Sequence, residues 1–141
     1  MIMNKDIFVG ILISTLPHLS ISQHHQSKIS RQIHHYWLIP VKNRKEIYEE
    51  FAEEHCLNFK IATVNNTEYI RIQERTTLLM VLRMIPPALL ESCPRLLNFY
   101  KIMKMIRKKE HLTEDGFNHI LRLRDKMMIK GNSKNAKEYE V

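Results

Sequence analysis

At 141 residues, with 44% hydrophobic and 26% charged side chains, the chain has the size and make-up of one folded domain, which excludes wholesale disorder. Its three glycines, Gly10, Gly116 and Gly131, cannot build a phosphate-cradling glycine-rich loop, and its two distant cysteines, Cys56 and Cys93, fit neither a disulfide framework nor a zinc spacing. The formal net charge of +7 favours a polyanionic partner, because each phosphate neutralised by Lys or Arg releases condensed counterions.

The first element is the stretch IFVGILISTLPHLSIS, from Ile7 to Ser22. An apolar run interrupted by Gly10 reads as a short buried helix that stops at Pro17, and His18-Leu19-Ser20-Ile21-Ser22 then alternates as a strand with one buried face does. Glycine inside a helix is unfavourable by roughly 1 kcal/mol against Ala, so Gly10 suggests a backbone packed close against it. A secretory signal competes for this stretch, since Lys5 precedes the apolar run. Asp6 in the basic region and the lack of an Ala-x-Ala-like cleavage site weigh against it. The run is shorter than the ~20 apolar residues that span a bilayer.

Gln23 to Ile29 is polar and reads as a hairpin loop, followed by a second strand from Ile33 to about Pro40. Asn43 is the expected N-cap of a helix, with Glu46 completing a capping box and Ile47, Phe51 and Ala52 as the apolar stripe. Leu57–Val64 and Glu68–Glu74 predict a hairpin around Asn65-Asn66-Thr67, with Leu57, Phe59, Ile61, Ile70 and Ile72 facing the core. Lys60, Tyr69, Arg71 and Gln73 then fall on the other face. Thr76 or Thr77 caps a short helix carrying Leu78, Val81, Leu82 and Ile85, which Pro86-Pro87 stops. Pro94 opens a helix with the stripe Leu96, Leu97, Tyr100, Met103 and Ile106 and the basic end Arg107-Lys108-Lys109. Thr113 caps the last helix, with Phe117, Ile120, Leu121 and Met127 on its stripe and Gly131 at its end. One domain over 1–131 with a frayed tail over 132–141 is the expected organisation.

The charge is unevenly spread. Between Asp6 and Glu46 there is no acidic residue, while Lys28, Arg31, Lys42, Arg44 and Lys45 share that span with His18, His24, His25, His34 and His35. An acid-free, strand-rich region suits a surface that faces phosphates; the bland alternative is a chance run in a Lys-rich protein. The His24-His25 and His34-His35 pairs do not make a metal cluster, because adjacent residues on a strand point to opposite faces. Met103, Met105, Met127 and Met128 read as core filling.

The string LLNFYKIMKMIRKKEHLTEDGFNHILRLRDKM resembles the C-terminal end of single-motif LAGLIDADG homing endonucleases. The matching residues are Lys108, Lys109, Glu110, His111, Leu112, Thr113, Glu114, Gly116 and Met127, and Phe8-Val9-Gly10-Ile11-Leu12 is similar to the Leu-Ala-Gly-Leu-Ile part of the family motif. The resemblance implies an α+β fold with an αββαββα core, C-terminal helices and an antiparallel sheet forming a saddle along DNA. It places Ser20, Ser22, His24, Lys28, Arg31, Lys60, Tyr69, Arg71 and Gln73 against double-stranded DNA. The other possibility for these residues is the solvated side of a half-covered sheet. The resemblance also implies a homodimer through the first helix, with Phe8, Gly10 and Ile11 at the interface.

The family reaction is metal-dependent phosphodiester cleavage with Mg²⁺, and here the sequence departs from it. Alignment on Gly10 puts Thr15 where the family has its metal-binding acid; alignment on the strand puts Leu16 there. Neither supplies a carboxylate to a hard cation. The expected function is therefore a homing-endonuclease-like DNA-binding protein, encoded in a mobile intron, either cleavage-defective and without a metal or, if it cleaves, using Mg²⁺. The alternatives are a maturase that binds intron RNA, and a secreted or membrane-anchored basic protein. The resemblance suggests an organelle, mitochondrion or chloroplast.

Overall fold

The computed structural model describes residues 2–23 and 33–127. In chain order the elements are α1 (Lys5–Ser14), β1 (Leu19–Gln23), β2 (Ile33–Pro40), α2 (Lys45–Glu54), β3 (Lys60–Val64), β4 (Thr67–Ile72), α3 (Arg75–Met84), α4 (Pro87–Ser92), α5 (Pro94–Arg107) and α6 (Glu114–Asp125). Short 3₁₀ turns lie at Leu16–His18 and Glu110–Leu112. The chain divides into two compact units, Met1–Ser22 with His34–Ile85 and Gln23–Ile33 with Pro86–Val141. The α+β class and the αββαββα order expected from the sequence are observed.

The four strands form one sheet in the order β1-β2-β4-β3. β4 pairs antiparallel with β2, Trp37 opposite Ile72 and Ile39 opposite Ile70, and antiparallel with β3, Lys60 opposite Arg71. Strand periodicity sends Leu19, Ile21, Trp37, Ile39, Ile70 and Ile72 to one face, where all six are buried. Asn65 and Asn66 both take positive φ, as a two-residue primed turn requires, so Thr67 joins the strand and leaves the turn to the two asparagines.

α1 contributes Phe8, Val9 and Leu12 to the core of the first unit. Asn4 caps it, its side-chain oxygen accepting from the Ile7 N–H at 2.8 Å. The Phe8 ring lies 4.7 Å from Phe51 of α2 and 5.8 Å from Phe59, so the opening apolar segment is built into the fold. No described helix is long and apolar enough to cross a membrane.

Several local expectations are corrected. Asn43 does not cap α2: Lys42 and Asn43 both have positive φ in a turn closed by the Arg44 N–H to the Val41 carbonyl, and the helix begins at Lys45. The stripe of α2 gains Tyr48, which is buried. Thr77 does not cap α3 but lies inside it, buried. Its hydroxyl donates to Glu74 Oε1 at 3.0 Å and accepts from the Asn58 N–H at 3.1 Å, tying α3 to the chain ahead of β3. Ile61 is 39% exposed despite its inward register, because β3 is the edge strand.

In the second unit, Pro87 not only follows the stop of α3 but starts a helix of its own, α4. Pro restricts the residue before it yet suits a first helical position, and the tandem prolines do both. Along α5 the buried stripe is Leu96, Phe99, Ile102, Met103 and Ile106, while Leu97 and Tyr100 are half-buried. Thr113 caps α6 as expected, accepting from the Gly116 N–H at 3.0 Å. Gly116 leaves no room for a side chain: a Cβ there would lie 1.8 Å from the Glu110 carbonyl oxygen. α6 buries Phe117, Ile120 and Leu123 with Met127 beyond its end; Leu121 is half-buried, and the expected stop at Gly131 lies outside the described residues.

Candidate nucleic-acid interface

The outer face of the sheet follows from the same two-residue period that builds the core. With Leu19 and Ile21 inward, Ser20 and Ser22 point outward from β1; with Trp37 and Ile39 inward, His34, Tyr36 and Leu38 point outward from β2. Tyr69 and Arg71 of β4 are outward, Gln73 continues the row, and β3 places Lys60 beside Arg71 and Ala62 beside Tyr69. No carboxylate occupies an outward position of the described strands. Six of the nine predicted DNA-binding residues, Ser20, Ser22, Lys60, Tyr69, Arg71 and Gln73, therefore share one face. His24, Lys28 and Arg31 lie outside the described residues.

Side chains on this face are held by their neighbours. The Arg71 guanidinium carbon lies 4.5 Å from the centroid of the Tyr36 ring, a cation–π contact between adjacent strands. Its Nε is buried with no hydrogen-bond partner among the described residues. His18, at the end of the turn after α1, meets Tyr69 edge-on at 6.0 Å between centroids. Tyr36, His34 and His18 join the face beyond the residues expected there. The alternation of β2 is the sequence signal for the first two; His18 is brought in by the turn.

On the opposite face, burial lowers the pKa of His35, with the Arg75 and His34 charges acting the same way. At β4's exit, hydrogen bonds from Asn58 and Thr77 hold the Glu74 carboxyl below the usual glutamate value.

The end of α1 is built differently. Thr15 is 8% exposed; its hydroxyl donates to the Ile11 carbonyl at 2.9 Å, or to Leu12 at 3.1 Å. The Trp37 indole N–H reaches both the Thr15 carbonyl at 3.0 Å and its Oγ1 at 3.1 Å. Thr15 thus seals the helix end against the core and offers no oxygen to a ligand. Leu16 follows, half-buried. Asp6 is exposed in the first turn of α1, at the other end of the helix. Among the described residues no group of three His, Cys, Asp or Glu side chains could hold a metal ion. The donor set at the end of α1 does not fit Mg²⁺, which takes at least one carboxylate.

Of the residues expected at a dimer interface, Phe8 has its ring fully buried beside Phe51 and Phe59 of the same chain. Gly10 is exposed with nothing within 4 Å of a Cβ built on it, and Ile11 is half-buried. The close neighbour anticipated for Gly10 is not found among the described residues.

The fold is a mixed α+β chain with a four-stranded antiparallel sheet, and it is similar to the folds of solved LAGLIDADG homing endonucleases. The crystal structure of the homing endonuclease I-TnaI is similar over 99% of this chain and 97% of its own, with a TM-score of 0.65 and 19% identity. The archaeal intron-encoded homing endonuclease I-Vdi141I, solved in complex with DNA, gives 0.64 and 19% over 97% of this chain and 99% of its own. The LAGLIDADG meganuclease I-AabMI, bound to uncleaved DNA, gives 0.61 and 16% over 96% of this chain but 49% of its own length. No protein-family profile and no curated sequence matches the chain.

Proposed function

We propose that this protein is a homing-endonuclease-like DNA-binding protein that holds duplex DNA against the outer face of its sheet and does not cleave it. The observation that carries the reading is the acid-free outer row of Lys60, Arg71, Gln73, Tyr69 and Ser20, with Arg71 braced on Tyr36. Arg and Gln present paired donors or acceptors that match base edges, while Lys60 is a point charge suited to phosphate. The loss of cleavage follows from Thr15, whose oxygens serve the core, and from the lack of any carboxylate beside it.

Two copies acting together belong to this reading. The chain spans about half of I-AabMI, and on α1 Ile7 is 37% exposed while a Cβ on Gly10 would meet nothing within 4 Å among the described residues. A mobile-intron origin in an organelle belongs to it as well.

The test is fluorescence anisotropy with labelled duplex DNA and matched single-stranded RNA, beside a nicking assay with Mg²⁺ on the same duplex. Duplex binding that Arg71→Ala weakens, without nicking, is the expected result. Stronger RNA than DNA binding at equal salt would instead favour the maturase. For assembly, Gly10→Trp, whose Cβ meets nothing within 4 Å among the described residues, should abolish the dimer in sedimentation velocity, with a thermal melt to check that the variant folds.

A further inference from the structure

A second concentration of charge lies wholly within the second unit. A cleft of about 290 Å³ opens between α5, the Glu110–Leu112 turn and α6, lined by Lys101, Lys104, Lys108, Glu110 and His119 over the apolar side chains of Met105 and Leu123. Three ammonium groups thus meet one carboxylate. The ion pairs Lys45–Glu49 and Arg124–Asp125 lie elsewhere, and among the described residues no ion pair within 4 Å joins Glu110 to these lysines. The Lys104 ammonium lies 5.3 Å from the centroid of the Tyr100 ring and stays on the helix surface.

The spacing of the lysines is unfavourable for the helix alone. Lys101 and Lys104 are three residues apart and Lys104 and Lys108 four, the separations at which like charges oppose helix formation. The helix dipole favours cations only within the last turn, which accounts for Lys104 and Lys108 but not for Lys101, two turns from the end. We infer that this cleft is a phosphate-binding site for a nucleic-acid backbone, separate from the sheet.

Geometry favours a backbone over a single free anion. Seven residues of α-helix advance about 10 Å from Lys101 to Lys108. Successive phosphates of a duplex strand advance about 3.4 Å along the axis, so the row of ammonium groups spans about three of them. A lone phosphate would occupy one position of the row and leave the others uncompensated. Met105 and Leu123 line the cleft beside the three exposed lysines. Lysine contacts of this kind carry no sequence information; they add affinity and register.

The inference does not depend on the sheet's being the DNA-binding face, and the experiment separates the two. The full chain, a cleft variant (Lys101→Gln, Lys104→Gln, Lys108→Gln) and a sheet variant (Lys60→Gln, Arg71→Gln) are compared by anisotropy with labelled duplex DNA and single-stranded RNA across salt concentrations. All five positions are exposed or half-buried, and thermal melts check that each variant folds. For the cleft variant, the slope of log K against log salt should fall by about 2 to 3, from roughly 0.9 per phosphate contact on duplex or 0.7 on a single strand. The fall should persist in the sheet-variant background. An unchanged slope on both nucleic acids overturns the inference. So does inorganic pyrophosphate that shifts the amide resonances of Lys101 to Lys108 while the slope stays put, which would assign the cleft to a free anion. Loss of binding in the cleft variant alone, with the sheet variant unaffected, would keep this site and refute the sheet.

Discussion

The end of α1 and the outer face of the sheet both derive from the first unit, yet they treat polar groups in opposite ways. At the end of α1 every oxygen of Thr15 is committed: the hydroxyl to the Ile11 and Leu12 carbonyls, the carbonyl and hydroxyl together to the Trp37 indole. On the outer face Lys60 is exposed, and Arg71 rests on Tyr36 with its Nε unsatisfied. The contrast shows how unevenly two kinds of site depend on sequence. Metal-dependent cleavage needs a carboxylate at one place, and a single residue removes it. Backbone binding is spread over many side chains, each contributing a modest share, and it survives the exchange of several.

Breaking the packed region should produce the largest effect. Trp37 is fully buried and bonded to Thr15, so Trp37→Ala should destabilise the protein by about 3–5 kcal/mol, read as a lower urea midpoint at unchanged slope. Thr15→Asp sharpens the comparison. It puts a carboxylate into a buried site at the negative end of a helix, removes the hydroxyl donor, and should lower stability by about 2 kcal/mol without creating a nuclease. Metal-dependent nicking by this variant would show that the helix end can turn outward after all. Leu16→Asp, one residue on, is the companion variant, since Leu16 is half-buried and less confined.

Effects on the open face should be smaller and confined to binding. Arg71→Ala should weaken duplex affinity by about 1–3 kcal/mol at unchanged Mg²⁺ and salt, with stability nearly intact. Lys60→Gln should lower the salt slope of binding by about 1. Equal losses on every duplex tested would mark Arg71 as a phosphate contact instead of a base reader.

The smallest effect concerns pH. Burial depresses the pKa of His35, so the unfolded chain takes up a proton more readily than the native one. The stability this group contributes is complete above the unfolded value near 6.5 and declines as pH falls below it towards the native pKa. Glu74, held low by Asn58 and Thr77, behaves alike in the acid range: its contribution is present above the ordinary glutamate pKa and is lost as pH falls through the lower native one. Denaturation midpoints between pH 7 and 5 should drop, and His35→Gln should flatten the drop. A midpoint independent of pH in that window would show that the His35 side chain reaches water.

Much of the sheet is legible in short-range pattern. Alternation in Leu19 to Ser22, Ile33 to Ile39 and Tyr69 to Gln73 sorts inner from outer face, because a strand's side chains must alternate. The same rule puts Lys60 beside Arg71 once the turn is placed at the two asparagines. Thr113 is legible as a cap because its hydroxyl acts on the backbone three residues away. Asn43 misleads by the same logic: its side chain suits a cap, but Asn also tolerates positive φ, and the turn from Val41 to Arg44 uses that tolerance.

What the residues alone determined, then, was the alternation of buried and open positions, the order of elements and the acid-free span between Asp6 and Glu46, all of which depend on local geometry and on which side chains exist. The tertiary structure decided where partners separated in sequence meet. Phe8 turns inward because Phe51 and Phe59 surround it, and Thr15 is sealed because Trp37, twenty-two residues later, reaches its oxygens. Lys101, Lys104 and Lys108 share a cleft with His119 because α6 folds back against α5. Contacts of that kind depend on chain closure over long separations, and no local period encodes them.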